Sequence, residues 1–231
     1  MSPEVSEPTR DKALEIYDLL VETYDKPQRK GREPVAELVL TILSQNTSDV
    51  NSGRAFDNLR EAFPTWDDVV EASSDEVAEA IRIGGLAKQK APRIQGALEK
   101  IKQERGEYEL DFLQEMALDE ARDWLTEIKG VGPKTASVVL LFSLEMSAFP
   151  VDTHVHRVSR RLGIIPEAAS PTRTSDLFEA MLPEDLYYAY HLLLIQHGRT
   201  TCKAQRPLCE ECPLTAQCDY YQENRADYRA D

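Results

Sequence analysis

The sequence lacks the excess of basic over acidic residues that proteins binding nucleic acid usually have. Of its 231 residues, 41 are acidic and 27 are lysine or arginine, so the formal net charge is −14. As a sum, this charge argues against a phosphate-rich partner, because phosphate binding needs a basic face. The distribution is uneven, however. Acidic residues are missing from windows 80–98, 128–144 and 186–208, which do contain basic residues such as Lys88 and Lys90, and the motifs described below fall inside these windows.

Long apolar runs and scattered cysteines are absent as well. No stretch approaches the roughly 18 consecutive apolar residues that cross a bilayer, and residues 1–4 lack the basic and apolar start of a secretory signal. We therefore expect an intracellular protein with no membrane partner, located in the cytoplasm and at the nucleoid if the source is prokaryotic. All four cysteines lie in residues 202–218. Disulfides are rare in such a compartment, so this grouping indicates a metal site.

Alternating apolar and polar runs of the kind that form strands are also missing. Apolar residues instead recur at helical spacing along most of the chain. Within the predicted helix over residues 74–83, Ser74 offers a capping hydroxyl without glutamate at the third position, and residues 1–10 are predicted to fray. The other predicted helices cover residues 11–24, 34–43, 52–62, 65–72, 91–105, 118–128, 134–145, 153–162, 174–181 and 185–198. The predicted fold class is all-α.

A Gly-Val-Gly turn joins two of these helices. Residues 125–136 read Leu-x-x-Ile-x-Gly-Val-Gly-x-Lys-Thr-Ala. Two glycines allow a tight reversal, and the proline after them suits the first position of a helix. The free N–H groups at the start of that helix form a site for an anion such as a DNA phosphate. A bare Gly-x-Gly between helices is more often a simple corner, but the full pattern is much more specific.

The full pattern resembles the helix-hairpin-helix of DNA repair proteins, and a second segment narrows the resemblance to the endonuclease III family. Residues 149–158 contain Val-Asp-Thr-His, which is similar to the family's segment with a catalytic aspartate. The resemblance implies that Lys134 is the catalytic lysine and Asp152 the catalytic carboxylate. Taken alone, Lys134 would be a solvated surface lysine and Asp152 a helix N-cap. The resemblance further implies that four residues contact DNA: Gly130, Val131, Gly132 and His154.

A bifunctional glycosylase needs both groups of this pair. An amine attacks the anomeric carbon C1′, expels the damaged base and leaves a Schiff base to the DNA. A carboxylate stabilises the developing positive charge or accepts a proton. A lysine in water is almost wholly protonated at neutral pH, so either burial or proton transfer to Asp152 must supply the free amine. The sequence leaves both routes open.

Two further segments resemble the loops with which this family reads a damaged site. In residues 43–49 a polar cluster ends an apolar helix, and Asn46 occupies a position usually held by glutamine, with Gln45 beside it. Because the asparagine amide reaches less far, we expect contacts to the opposite strand to weaken or to shift to Gln45. In residues 84–86 the resemblance makes Leu86 an apolar wedge that offsets the unstacking of a flipped base. Taken alone, Leu86 would more often be a core leucine.

The four cysteines follow the spacing Cys-x6-Cys-x2-Cys-x5-Cys. This spacing by itself is equally compatible with zinc and with a [4Fe–4S] cluster. The family resemblance favours the [4Fe–4S] cluster. We expect no direct catalytic role for it, because base removal by a lysine requires no electron transfer. The implied ligands are Cys202, Cys209, Cys212 and Cys218.

The resemblance as a whole implies a DNA glycosylase and AP lyase of base excision repair, built from two helical lobes. A six-helix barrel with the helix-hairpin-helix is expected over residues 35–147, and residues 1–34 with 148–231 are expected to form a discontinuous iron–sulfur lobe. The implied substrates are oxidised pyrimidines in damaged double-stranded DNA and abasic sites cut by β-elimination. The protein is expected to act as a monomer.

Three alternatives stay open at this point. The first is a mismatch-specific or purine-lesion glycosylase on the same scaffold, although monofunctional adenine and thymine-mismatch glycosylases lack the lysine found at position 134. The second is a non-catalytic DNA-damage binder that keeps the cluster. The third is a zinc-stabilised helical binding module, which metal content and visible absorbance would distinguish.

Overall fold

The computed structural model describes residues 4–226, and every regular element between these limits is a helix. The all-α prediction is confirmed. The chain divides into two compact units, one made of Met1–Lys30 with Ser147–Asp231 and the other of Gly31–Met146. Within the described residues, no helix is both long enough and apolar enough to span a membrane.

The unit Gly31–Met146 is built around its first helix, α2 (Pro34–Ser44). This helix is buried on most sides because it is almost wholly apolar, and it contacts the third, sixth and eighth helices of the chain. Short 3-10 turns at Arg82–Gly84 and Asp111–Glu115 complete the unit. Its helices are α2 (Pro34–Ser44), α3 (Asp49–Ala62), α4 (Trp66–Glu71), α5 (Ser74–Ala80), α6 (Ala87–Arg105), α7 (Leu118–Thr126) and α8 (Pro133–Phe142).

Helix α5 begins with a complete capping box. The Ser73 hydroxyl accepts a hydrogen bond from the Glu76 backbone N–H at 3.3 Å, and the Glu76 carboxylate accepts one from the Ser73 N–H at 2.9 Å. The prediction that Ser74 caps this helix without a glutamate was therefore wrong. Ser73 is the residue with extended backbone, φ −65° and ψ 148°, so the cap lies one residue earlier. The Ser74 hydroxyl instead donates to the side chain of Gln95 on α6.

The discontinuous unit contains α1 (Glu7–Tyr24), α9 (Thr153–Leu162), α10 (Pro171–Met181), α11 (Tyr187–Thr200) and α12 (Asp219–Glu223). Helix α11 contacts both α1 and α9, and the buried Tyr190 hydroxyl donates to the Ala13 carbonyl oxygen at 2.9 Å. The predicted fraying of the first ten residues was wrong for residues 7–10, which are helical because Ser6 caps α1. Residues 1–3 lie outside the described part.

Candidate nucleic-acid interface and cluster site

The turn between α7 and α8 requires its first glycine. Gly130 has a φ of 94°, in the left-handed region, and a Cβ added there would lie 2.7 Å from Arg93 Cδ. Gly132 is the N-cap of α8, and Pro133 occupies its first position. Val131 between them is 5% exposed, so its side chain anchors the turn and only its backbone is available to a ligand. The turn therefore presents glycine backbone and a free helix N-terminus to solvent.

Lys134 is the second residue of α8 and is exposed, while the next seven residues of the helix are buried. A carboxyl that the sequence analysis missed lies on the neighbouring helix α2. Burial raises the pKa of Glu37, while the charge of Arg32, a hydrogen bond from Thr41 and the charge of Lys134 act in the opposite direction. Arg32 Nε lies 3.2 Å from a Glu37 carboxylate oxygen. The only hint in the sequence was a single acid inside the apolar run of α2.

The recognition loop, residues 45–48 between α2 and α3, contains two amide side chains that lie in different surroundings. Gln45 Nε2 donates to the Gly130 carbonyl oxygen at 3.1 Å, and Arg93 Nη1 donates to Gln45 Oε1 at 3.4 Å. Asn46 is exposed and has a φ of 54°, in the left-handed region that few non-glycine residues adopt and that asparagine enters more often than most. The Gln45 side chain thus connects the loop to the hairpin, and Asn46 is the amide on the exposed side.

The wedge loop, residues 84–86, presents an apolar side chain to solvent. Leu86 is 46% exposed, so it is not an ordinary core leucine. Its φ of 52° places it in the left-handed region at the N-cap of α6. Gly85 before it is also left-handed, with a φ of 63°. The Thr47 hydroxyl donates to the Gly84 carbonyl oxygen, which links the recognition loop and the wedge loop directly.

Lys90, which lies in one of the acid-free windows of the sequence, is buried. Its side chain is 1% exposed, and Nζ donates to Leu43 O at 2.7 Å, Thr47 Oγ1 at 2.7 Å and Gly84 O at 2.8 Å. Burial, together with the charge of Arg93, lowers the pKa of Lys90 to about 8. Lys90 is buried because it lies on the apolar stripe of α6, four residues before the buried Ile94.

Asp152 is the N-cap of α9. Its Oδ1 accepts a hydrogen bond from the Val155 N–H at 2.7 Å, so its structural interpretation as a cap is confirmed. Two residues later, His154 Nδ1 lies 3.1 Å from Arg157 Nη2. Arg157 also donates to the carbonyl oxygen of Cys202 from Nε at 3.2 Å and from Nη2 at 3.0 Å. One arginine on α9 therefore fixes the start of the cysteine segment to the helix that Asp152 caps.

The four cysteines line a single cavity and form no disulfide. Burial raises the pKa of the Cys212 and Cys218 thiols to about 11, so a cationic cofactor is needed to hold them as thiolates at neutral pH. Arg161 Nη1 donates to Cys202 Sγ at 3.3 Å. Across residues 4–226, no three histidine, cysteine, aspartate or glutamate side chains are grouped so as to hold one metal ion. Four cysteines on one cavity supply the thiolate ligands that an iron–sulfur cluster takes.

Residues 39–184 match the model of the HhH-GPD superfamily of base excision DNA repair proteins, and residues 202–218 match the iron–sulfur binding domain of endonuclease III. Endonuclease III from Sulfolobus acidocaldarius is 36% identical over 225 residues, which cover 93% of this chain and 98% of that protein. The chain belongs to the endonuclease III family. It is therefore an enzyme of the DNA glycosylase and AP lyase class, and its cofactor is an iron–sulfur cluster.

Other relatives and solved structures agree with this family. Endonuclease III from Thermotoga maritima is 35% identical over 83% of this chain and 85% of its own length. A putative DNA glycosylase from Arabidopsis thaliana is 40% identical over 79% of this chain, which spans 65% of that protein. A non-covalent endonuclease III–DNA complex superposes with a TM-score of 0.81 at 28% identity, and a trapped covalent endonuclease III–DNA intermediate with 0.79 at 27%; both cover 96% of this chain and 100% of theirs.

Proposed function

We propose that this member of the endonuclease III family removes oxidised pyrimidines from damaged double-stranded DNA through a Schiff base on Lys134, and cuts the resulting abasic site by β-elimination. The supporting observation is the position of Lys134. It is an exposed amine on the second residue of α8, directly after a glycine turn whose backbone can approach a phosphate. Relatives at 36% and 35% identity are named endonuclease III, which is consistent with strand cutting.

The reaction uses the lysine twice. Nζ of Lys134 first attacks C1′, the bond from C1′ to the base breaks with its electron pair going to the base, and the base leaves after taking up a proton. Loss of a proton from the attacking amine then gives an aminal at C1′. The C1′–O4′ ring bond breaks, O4′ takes up a proton, and the nitrogen electron pair forms the Schiff base between Nζ and C1′. A base next removes a proton from C2′, and a C1′–C2′ enamine forms. The C3′–O bond then breaks, and the downstream strand leaves with a phosphate at its 5′ end. Water finally hydrolyses the Schiff base and frees the lysine.

Asp152 supplies the carboxylate in this proposal. Its N-cap bond to the Val155 N–H fixes the orientation of the carboxylate through Oδ1, and the cap does not use the second oxygen, Oδ2. That oxygen is available to stabilise the positive charge that develops on the sugar or to accept the lysine proton. One aspartate thus serves as cap and as catalytic carboxylate, and substitution can separate the two roles because asparagine caps helices as well as aspartate does.

The remaining site residues bind DNA and the cofactor. Asn46 and Leu86 fill the space left by the flipped nucleotide, while the Gly130, Val131 and Gly132 backbone contacts a phosphate and His154 a second one. The thiolates of Cys202, Cys209, Cys212 and Cys218 hold the [4Fe–4S] cluster, which when bound fixes the backbone of residues 202–218. The enzyme acts as a monomer in the cytoplasm.

Borohydride trapping tests this function. A duplex with one thymine glycol is incubated with the native protein, with Lys134→Ala and with Lys129→Ala, a matched control that removes an exposed lysine of the same turn. We expect a covalent adduct with the native protein and with Lys129→Ala, and none with Lys134→Ala. Visible absorbance of the cluster shows that each variant is folded.

Two outcomes would change the assignment. An adduct that persists in Lys134→Ala would move the Schiff base to another amine. Release of free base without adduct or strand cutting by the native protein would make it a monofunctional glycosylase, and a panel of mismatch and purine-lesion duplexes would then identify its substrate. For Asp152, we expect Asp152→Asn to keep the melting temperature within about 2 °C and to lose at least about 100-fold in base release.

A further inference from the structure

A single buried ammonium group holds together the two loops that the proposed function assigns to lesion reading. The three hydrogen bonds from Lys90 Nζ, at 2.7, 2.7 and 2.8 Å, use all three of its donors. Leu43 O ends the helix before the recognition loop, Thr47 Oγ1 lies within that loop, and Gly84 O lies in the wedge loop. The two loops are about 40 residues apart in sequence, yet they share this one donor group.

The residues that Lys90 supports carry backbone strain. Asn46 precedes Thr47 and has a φ of 54°; Leu86 follows Gly84 by two residues and has a φ of 52°. Non-glycine residues in the left-handed region persist only where the surrounding structure fixes them, and they are found most often at functional sites. Both side chains are exposed, so their own packing does not fix them. The bonds from Lys90 and from Thr47 to Gly84 O act on the backbone immediately beside them.

Packing stability does not explain this lysine. Its hydrogen-bond acceptors are two carbonyl oxygens and a hydroxyl, and within residues 4–226 no carboxylate forms an ion pair with it. Burying a cation without an anionic partner costs free energy that an apolar side chain in the same place would avoid. Burial lowers the pKa of Lys90 to about 8, in line with that cost. A side chain that fills a buried position at such a cost is explained better by function than by stability.

We propose that Lys90 is a positioning residue that fixes Asn46 and Leu86 in one rigid arrangement, so that the two side chains enter a damaged duplex together. The proposal rests on the proposed function, since it assumes that the recognition loop and the wedge loop read the lesion site. Lys90 itself does not touch DNA in this account. It acts through the backbone of the two loops, and the ordering of those loops before binding lowers the entropic cost of inserting them.

The test measures lesion preference without catalysis. Affinities are measured for a duplex with a tetrahydrofuran abasic analogue and for the same duplex undamaged. The variants are Lys90→Met, which keeps the length but removes the donors, Lys90→Arg, which keeps donors and charge, and Lys88→Met, which removes an exposed lysine of the same helix. We expect Lys90→Met to reduce the preference for the abasic duplex at least about 10-fold and to leave affinity for undamaged DNA within about 2-fold. Lys90→Arg recovers part of the preference, and Lys88→Met keeps it.

A purely structural role predicts a different result, in which Lys90→Met weakens both affinities equally because part of the protein is unfolded. That result would overturn the proposal, as would an unchanged preference. In case Lys90→Met does not fold, Thr47→Val provides a second variant, because it removes one acceptor and the direct link to Gly84 with little change in shape. We expect it to reduce the preference in the same direction by about 3-fold or more, and no reduction would also overturn the proposal.

Amide hydrogen exchange without DNA keeps failure of the proposal separate from failure of the proposed function. We expect residues 45–48 and 84–86 to exchange at least about 10-fold faster in Lys90→Met while the rest of α2 and α6 is unchanged. If the native protein shows no preference for the abasic duplex, residues 45–48 and 84–86 do not read the lesion. The proposed function is then wrong on this point, whatever the role of Lys90. If exchange increases and the native preference survives in Lys90→Met, the positioning role of Lys90 is wrong, while the proposed function stands.

Discussion

The chain stabilises irregular backbone in two different ways in its two units. In the unit Gly31–Met146, the recognition loop and the wedge loop are held by donors of the protein itself, namely the Lys90 ammonium and the Gln45 amide. In the discontinuous unit, residues 202–218 contain one regular element, the 3-10 turn Cys209–Glu211. Four thiols line the cavity around which that segment folds. The first region carries its fixing groups in its own sequence, whereas the second needs a cofactor.

The difference reflects the length of backbone that has to be fixed. The two reading loops, residues 45–48 and 84–86, are short, so a few side-chain bonds to backbone oxygens are enough. The cysteine segment has little apolar core of its own, and Leu214 is its one residue with no exposed surface. Arg157 and Arg161 fix its first residues to α9 through the Cys202, Lys203 and Ala204 carbonyl oxygens. The rest depends on ligation, as in small domains that lack a sufficient core.

The largest expected effect comes from removing one ligand. Cys209→Ala should abolish visible absorbance and destabilise the discontinuous unit by more than about 4 kcal/mol, because loss of a bound metal group belongs to the most severe class of substitutions. Hydrogen exchange should increase across residues 202–218 and remain unchanged in residues 84–86. Faster exchange in residues 84–86 would contradict the view that the cluster and the protein donors stabilise the two regions independently.

A pair of glycine substitutions gives the next largest effect. Gly163 ends α9 with a φ of 72°, and an added Cβ would collide with the Asp219 carboxylate. Gly163→Ala should therefore cost about 1–3 kcal/mol. Gly96 lies inside α6 with nothing within 4 Å of an added Cβ, and Gly96→Ala should stabilise the protein by about 0.5–1 kcal/mol. Chemical denaturation measures the free energy of unfolding of both variants. Equal changes in the two would show that the backbone geometry at each glycine does not control stability there.

The smallest expected effect concerns the bond between the recognition loop and the hairpin. Gln45→Ala removes the donor to Gly130 O and should cost about 1 kcal/mol, with faster hydrogen exchange in residues 129–132. Gln103→Ala, at an exposed position of α6, is the matched control and should stay within about 0.5 kcal/mol. A loss of stability in Gln45→Ala alone supports a role for protein donors in holding these loops. Equal losses in both variants would show that the bond from Gln45 to Gly130 does not stabilise them.

Patterns that are local in the sequence predicted most of the helices and the motif positions. The helix over residues 153–162 is observed with those bounds, because an aspartate cap precedes it and a glycine follows it. The turn at Gly130 and Gly132 between two helices was equally predictable, since glycine and proline have strong positional preferences at helix ends. The cysteine spacing narrowed the cofactor to two candidates, and the family resemblance chose between them.

Interactions between distant parts of the chain were not predictable in this way. Lys90 bonds to Leu43, 47 residues earlier, and Gln45 bonds to Gly130, 85 residues later. No periodicity connects such pairs, so neither contact could be predicted from the sequence. Glu37 was missed because its neighbourhood depends on how α2 and α8 pack. The apolar stripe that includes Lys90 was the only available signal.

Peptide mapping of the borohydride-trapped complex tests the central claim most directly. After reduction on a thymine glycol duplex, the protein is digested, and mass spectrometry locates the residue that carries the deoxyribose remnant. The Schiff-base mechanism predicts the remnant on Lys134, in the peptide that follows the glycine turn. A remnant on Lys129, on the N-terminal amine or on any other lysine would contradict the assignment of Lys134 as the nucleophile.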